Sequence, residues 1–255
     1  MEQLYRINLP VVDSTNSFIR DMLDSRCDMP GMTLVVADSQ TAGRGQQGNS
    51  WESETGVNLL FSILCHPDFT LPSEQFILSQ CMALAVCGAI REALVAEGVT
   101  EAVSVKWPND VYVGDRKVSG TLIECDLQGR VIANCIIGTG INVNQHEFHS
   151  DAPNPVSMCQ LCGHELDRES ILDDVIRRFR LYYEDVRSGE SDKVRAEYMR
   201  SLYWREGRHH FEDVRGEFTA EIAGIEPTGH LVLRFDNGAT VRYEFKEVRF
   251  LIDRH

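Results

Sequence analysis

Residues 103–143 read VSVKWPNDVYVGDRKVSGTLIECDLQGRVIANCIIGTGINV. β-Branched and aromatic residues dominate four segments of this stretch, and they predict successive strands at 103–107, 110–113, 117–125 and 131–143. Gly114-Asp115 and Gln128-Gly129 mark turns between some of them. A largely antiparallel sheet with helices packed on it fits this order, an α+β arrangement.

The flanks extend the pattern. Residues 4–12 read as a strand, and Asp13-Ser14-Thr15-Asn16 then offers several N-cap candidates for a helix with Phe18, Ile19, Met22 and Leu23 on one face. Residues 32–38 and 57–65 read as strands on either side of a polar, Gly-rich loop at 39–53. The longest helical stretch is 73–99, with Glu74 and Gln75 in its first turn and a Met82–Val86 run that predicts deep burial. Residues 169–187 and 191–203 read as polar surface helices. From Arg208 the texture changes to short alternating strands at 217–224, 230–235, 239–245 and near 247–252, punctuated by Pro227-Thr228-Gly229 and Asp236-Asn237-Gly238. The expected division is a catalytic domain over 1–205 and a small β-barrel over 206–255.

Composition narrows the class. The 255 residues carry 39 acidic against 25 basic side chains, a net charge of -14, which repels duplex DNA and anionic membranes. An anionic substrate therefore needs a local cationic pocket. No apolar run approaches the ~20 residues of a bilayer span, and the N-terminus has no secretory pattern, so the expected compartment is the cytoplasm. The eight cysteines, Cys27, Cys65, Cys81, Cys87, Cys125, Cys135, Cys159 and Cys162, sit mostly in apolar runs and read as buried thiols. Cys159-x-x-Cys162-x-His164 after His146-x-x-His149 has the spacing of a zinc site; the alternative is a loop without metal.

Four segments carry chemistry, each with a plainer alternative. Gln40 to Trp51 holds three glycines in six residues, amides and Arg44 for carboxylate or phosphate, and an indole face for a purine; it also reads as a surface loop. It lacks the Gly-Lys-Ser/Thr of a Walker A loop. Lys106-Trp107-Pro108-Asn109-Asp110 brings a cation, an amide and a carboxylate to a strand end, for phosphate, Mg²⁺ or a proton, or simply forms a turn. Lys117-x-x-Gly120 opens a strand. Gly138-Thr139-Gly140-Ile141-Asn142-Val143-Asn144 closes one, with both asparagines on the same face if the strand continues, or else as a β-bulge.

Taken in order, Ser-Thr-Asn, Gly-Arg-Gly-x-x-Gly-x-x-Trp, Lys-Trp-Pro-Asn-Asp, Lys-x-x-Gly and Gly-x-Gly-Ile-Asn strongly resemble the biotin protein ligase family from about 13 to 144, and the C-terminal strands resemble that family's tail domain. The resemblance implies a class II aminoacyl-tRNA-synthetase-like catalytic domain followed by an SH3-like barrel. It implies that Ser14, Thr15, Asn16 and Gln40 hydrogen-bond biotin, and that Gly43, Arg44, Gly45 and Gln46 belong to the loop that closes over biotin and its adenylate. The resemblance also places Lys117 and Gly120 beside biotin. ATP falls to Arg44, Gln47, Trp51, Lys106, Asn109 and Asn142, with Trp51 stacked on adenine. The catalytic set that the resemblance implies is Arg44, Lys106, Asp110 and Lys117, with Mg²⁺ brought by ATP and expected near Asp110 and Asn142. The implied activity is ATP-dependent formation of biotinyl-AMP and transfer of biotin to a lysine of a biotin carboxyl carrier protein.

Two departures matter. Family members often carry Arg where Gln46, and sometimes Gln47, stands here, so the loop has less charge to hold the adenylate. Bifunctional relatives carry a winged-helix DNA-binding domain before the Ser-Thr-Asn segment, which begins here at residue 14; the expectation is a catalytic-only ligase without DNA binding, as a monomer or homodimer. The competing readings are a lipoate or octanoate protein ligase of the same fold, whose Arg-Arg-x-x-Gly-Gly-Gly-x-Val-x-His segment is not matched, and a non-catalytic biotin-binding protein.

Overall fold

The computed structural model describes residues 3–25, 29, 31–45, 50–149 and 154–252. Gln46, Gln47 and Cys27 lie outside the described residues. A seven-stranded sheet is built from β1 (Leu4–Leu9), β2 (Met32–Ala37), β3 (Leu59–Cys65), β4 (Val103–Lys106), β5 (Asp110–Val113), β6 (Arg116–Gln128) and β7 (Val131–Ile141). The strand order is β1-β2-β3-β7-β6-β5-β4. Only β1 and β2 pair in parallel; every other neighbour is antiparallel.

The period of two along each strand assigns the faces. Met32, Leu34, Val36, Leu59, Phe61, Ile63, Cys135, Ile137 and Ile141 join the main core. Above them lie α2 (Phe76–Ala96), α4 (Arg168–Arg187) and α5 (Ser191–Arg200). Val35, Leu64 and Ile136 point to the other face, under Ile19 of α1 (Thr15–Asp24). Because β2 and β3 are covered on both sides, they read as continuous apolar runs rather than alternating ones. Against the expectation that no stretch approaches a bilayer span, the helical stretch Pro72–Ala96 is long and apolar enough to cross a membrane, with a mean hydropathy of 1.4, but most of it is buried in the core.

Several boundaries moved for identifiable reasons. The first strand stops at Leu9 because Pro10 has no N–H for the ladder. The 73–99 helix is a 3-10 turn at Pro72–Glu74 followed by α2, and Gly98, with φ +78°, lies just past its end. Helix α5 ends at Arg200 because the next residues bond along the edge of β4, through Val105 N–H to Ser201 O at 2.7 Å and Tyr203 N–H to Val105 O at 2.8 Å. No bulge occurs at Gly138 or Gly140, which pair in regular register with both neighbours.

The C-terminal sheet has the order β11-β10-β9-β8-β12, from β8 (His209–Asp213), β9 (Gly216–Ile225), β10 (Leu231–Arg234), β11 (Thr240–Tyr243) and β12 (Arg249–Phe250). All its pairings are antiparallel, as in a small barrel. Its inward residues, among them Phe211, Ile222, Leu231 and Leu233, belong to the same apolar cluster as the large sheet. Trp107 adds a polar tie, donating Nε1–H to Gly229 O at 2.8 Å.

The CxxC segment is helical. Ser157 and Gln160 form a capping box at the start of α3 (Met158–Cys162), and Gly163 closes it in the left-handed region. Cys159 is buried against Gln145 O, at 3.6 Å from Sγ, while His164 Nε2 meets Glu97 Oε2 at 3.0 Å. Among the described residues no group of three His, Cys, Asp or Glu is placed to hold a metal ion, so the zinc reading is not supported. The seven described cysteines are free thiols.

Candidate functional site

On the α1 face, over β6 and β7, lies a cavity of about 640 Å³, within the usual range for ligand pockets. Its floor is flat because the strands put glycine there. A Cβ on Gly138 would stand 2.1 Å from Asn16 Oδ1, and one on Gly140 would stand 2.3 Å from Trp51 Cε2. Any side chain at these positions would displace what now lies on the sheet.

One end of the pocket is lined by short polar side chains. Ser14 precedes α1 but its hydroxyl does not cap the helix, so Ser14, Thr15 and Asn16 are buried as pocket residues instead. Gln40 Oε1 accepts from Thr15 N–H at 2.7 Å and from Thr15 Oγ1–H at 3.1 Å. Ser62 on β3 shares its one proton between Thr15 Oγ1, at 2.7 Å, and Asn16 Oδ1, at 2.6 Å. Asn16 donates Nδ2–H to Glu124 Oε2 at 2.9 Å. The network fixes which way each amide faces.

The other end is cationic. Lys117 Nζ pairs with Asp110 Oδ1 at 2.8 Å, and Lys106 Nζ lies 5.5 Å from the centre of the Tyr112 ring and 4.7 Å from that of Phe250. Desolvation pulls the Lys106 ammonium below its ordinary lysine value; Asp110 opposes this and the charge on Lys117 adds to it. Arg44, bridged to Ser50 across the loop, is not at this end: it reaches Glu124 Oε1 at 2.9 Å, on the carboxylate that also accepts from Asn16. Phe245 and Phe250 belong to the C-terminal sheet and its loops, so that sheet forms part of this wall.

Between the two ends lies Trp51, its ring over Gly140 and 5.8 Å from Lys117 Nζ. Its Nε1–H is buried without a partner among the described residues, as is Asn142 Oδ1. Asn142 lines the cavity while its Nδ2–H is donated to Val156 O at 3.2 Å. Asn144 does not share that face: the strand ends at Ile141, and Asn144 instead pins Leu166 through two bonds of 2.9 Å.

Of the residues singled out from the sequence, the structure brings Ser14, Thr15, Asn16, Gln40, Arg44, Gly45, Trp51, Lys106, Asp110, Lys117, Gly120 and Asn142 into this one cavity. Gly43 sits behind it, its carbonyl accepting from Trp51 N–H at 3.0 Å. Asn109 is buried and lines a neighbouring groove beside Phe76 and Gly229 instead. Gly138, from the Gly-x-Gly-Ile-Asn motif, also lines the cavity, whereas Ser62, Glu124 and Phe245 were not foreseen. Ser62 and Glu124 sit at ordinary strand positions, but Glu124 alternates with Gly120 and Leu122 along β6, a period-two signal that places it on the same face.

A sequence model described as the biotin/lipoate A/B protein ligase family matches residues 9–142. The chain is 28% identical to the bifunctional ligase/repressor BirA of Bacillus spizizenii over 233 residues, covering 89% of this chain and 69% of that protein. It is 29% identical to the biotin–[acetyl-CoA-carboxylase] ligase of Paracoccus denitrificans over 238 residues, covering 90% of this chain and 94% of that one. Among solved structures it is similar to the biotin protein ligase of Aquifex aeolicus in complex with biotin and ATP, with a TM-score of 0.77, 26% identity and coverage of 96% and 99% of the two chains.

Proposed function

The chain belongs to the biotin/lipoate A/B protein ligase family, and on that premise we propose that it activates biotin as biotinyl-AMP with ATP and transfers it to a lysine of a biotin carboxyl carrier protein. The observation that carries this reading is the division of a single cavity. An end of short hydrogen-bonding side chains suits a ureido ring with one acceptor and two donors, an end with two lysines suits phosphate, and an indole lies between them.

A carboxylate is a poor acyl donor, and activation as a mixed anhydride replaces its oxide leaving group with AMP. Biotin's carboxylate attacks the α-phosphorus of ATP and pyrophosphate departs. Lys106 and Lys117, which line the cavity, would offset charge growing on the phosphoryl oxygens, with Arg44 reaching in from the Gly-rich loop. The carrier's ε-amine then attacks the biotinyl carbonyl, and AMP leaves. That amine has to be neutral, against an ordinary value near ~10.4; the same desolvation and cationic field that lower Lys106 act on a third ammonium brought beside it. Asp110 is ion-paired with Lys117, which suits it to hold that lysine in place. Magnesium fits the oxygen donors present: Asn142 Oδ1 is buried and unpartnered, and the Asp110 carboxylate lines the same cavity. Bound there, the ion would supply further positive charge to the phosphates.

The test is biotin-dependent release of pyrophosphate from ATP, with lipoate and octanoate in parallel. Release with biotin alone supports the reading; release with lipoate or octanoate in its place overturns the substrate, and biotin binding without release overturns the activity.

A further inference from the structure

One carboxylate ties together two segments at the Asn16 end of the pocket. Glu124 points from β6 onto the α1 face, and each of its oxygens has its own donor: Oε2 takes Asn16 Nδ2–H and Oε1 takes Arg44 Nη2–H, both at 2.9 Å. Asn16 belongs to the start of α1 and Arg44 to the Gly-rich loop, so a single side chain couples two segments otherwise distant in sequence.

Its effect on Asn16 is orientational. With Nδ2 turned to Glu124, Oδ1 is turned to Ser62 and over Gly138. The flipped amide would set its carbonyl oxygen against a carboxylate, so the charge on Glu124 selects one rotamer of a buried pocket residue. Its effect on Arg44 is positional. The Arg44 side chain is 48% exposed and that of Glu124 26%. A long, half-solvated side chain of this kind pays rotamer entropy to be held anywhere, and the ion pair holds it at the pocket wall. The contact engages one guanidinium nitrogen, and the planar fork has further donors for an incoming oxygen.

We propose that Glu124 is a positioning residue for this site, orienting Asn16 and holding Arg44 over the pocket before the substrates arrive. This rests on the biotin-ligase reading above. The test is a double-mutant cycle on the full chain with Glu124→Gln and Arg44→Ala. It is read as kcat/KM for biotin, with calorimetric biotin binding and thermal unfolding alongside. Glutamine keeps an acceptor for Asn16 and removes the charge that holds Arg44, so Glu124→Gln alone should lower kcat/KM by about three- to five-fold, the scale of a partly exposed ion pair. In the Arg44→Ala background the same change should cost nothing, because the two act as a unit. Glu124→Ala, which also frees Asn16, should weaken biotin binding by about ten-fold or more, with glutamine restoring most of it. Multiplicative losses in the cycle, or a neutral Glu124→Gln in an active protein, overturn the inference. A wild-type chain that neither binds nor activates biotin overturns the underlying reading instead.

Discussion

Replacing Gly140 by alanine should separate the two substrates, and the geometry sets the size of the effect. The new methyl would lie 2.3 Å from Trp51 Cε2 and 2.6 Å from Nε1, so the indole has to retreat by about an ångström to reach ordinary contact. The ring is half-buried and its Nε1–H has no partner among the described residues, so moving it breaks no hydrogen bond. The stability cost should therefore sit at the low end of overpacking, about 1 kcal/mol, or a fall of about 2–4 °C in melting temperature for a chain of this size. ATP should suffer more. Losing a base–aromatic stack costs about 1–3 kcal/mol, or roughly 5- to 150-fold in affinity. Gly138→Ala is the contrasting variant. Its methyl meets Asn16 Oδ1 at 2.1 Å, inside the Ser62–Asn16–Glu124 network, so it should impair biotin and spare ATP. Separate calorimetric titrations with biotin and with Mg-ATP read both. ATP affinity in Gly140→Ala equal to wild type, or the same loss of both ligands in both variants, would refute the division of the pocket.

Lys106→Met should stabilise the fold, because it removes a cation that burial disfavours, and on the proposed mechanism it should reduce biotin activation by about a hundred-fold or more. The sign with pH follows from the lowered value. Between Lys106's folded-state value and 10.5 the unfolded chain holds the proton that the folded chain has shed, so wild-type stability rises with pH across that window. The variant's advantage in urea unfolding should accordingly shrink toward high pH; an advantage that grows would contradict the assignment. Trp107→Phe keeps most of the packing but loses the 2.8 Å bond to Gly229 O, which should cost about 1–2 kcal/mol and speed proteolysis at the 226–230 turn. Unchanged cleavage there would mean that the indole bond does not tie the turn to the large sheet.

The parts legible in the sequence are those where local chemistry and tertiary context agree. β2, β3, β6 and β7 are apolar and β-branched, and they were visible to within a few residues. The motif residues converge because they lie at strand ends and loop mouths on one face of the sheet, where glycines leave room. What stayed hidden depends on partners far away in the chain. β8, His-His-Phe-Glu-Asp, has no alternating apolar pattern, and it is a strand because β9 and β12 pair on its two sides. The Cys159–Cys162 spacing looked like a ligand pair and is one turn of α3; the Ser157-x-x-Gln160 box before it was the readable clue. Asn142 and Asn144 were expected on one face, but the strand stops before either, so period-two reasoning had no strand to act on. Ser62 and Glu124 matter through Thr15, Asn16 and Arg44, which come from other segments, and no local window in the sequence contains those pairings.

The most direct test of the central claim is mass spectrometry of a purified biotin carboxyl carrier domain after incubation with this protein, Mg-ATP and biotin. The account predicts one biotinyl group on a single carrier lysine, dependent on ATP and absent with lipoate or octanoate. An unmodified carrier, or one acylated by lipoate or octanoate in place of biotin, would contradict it.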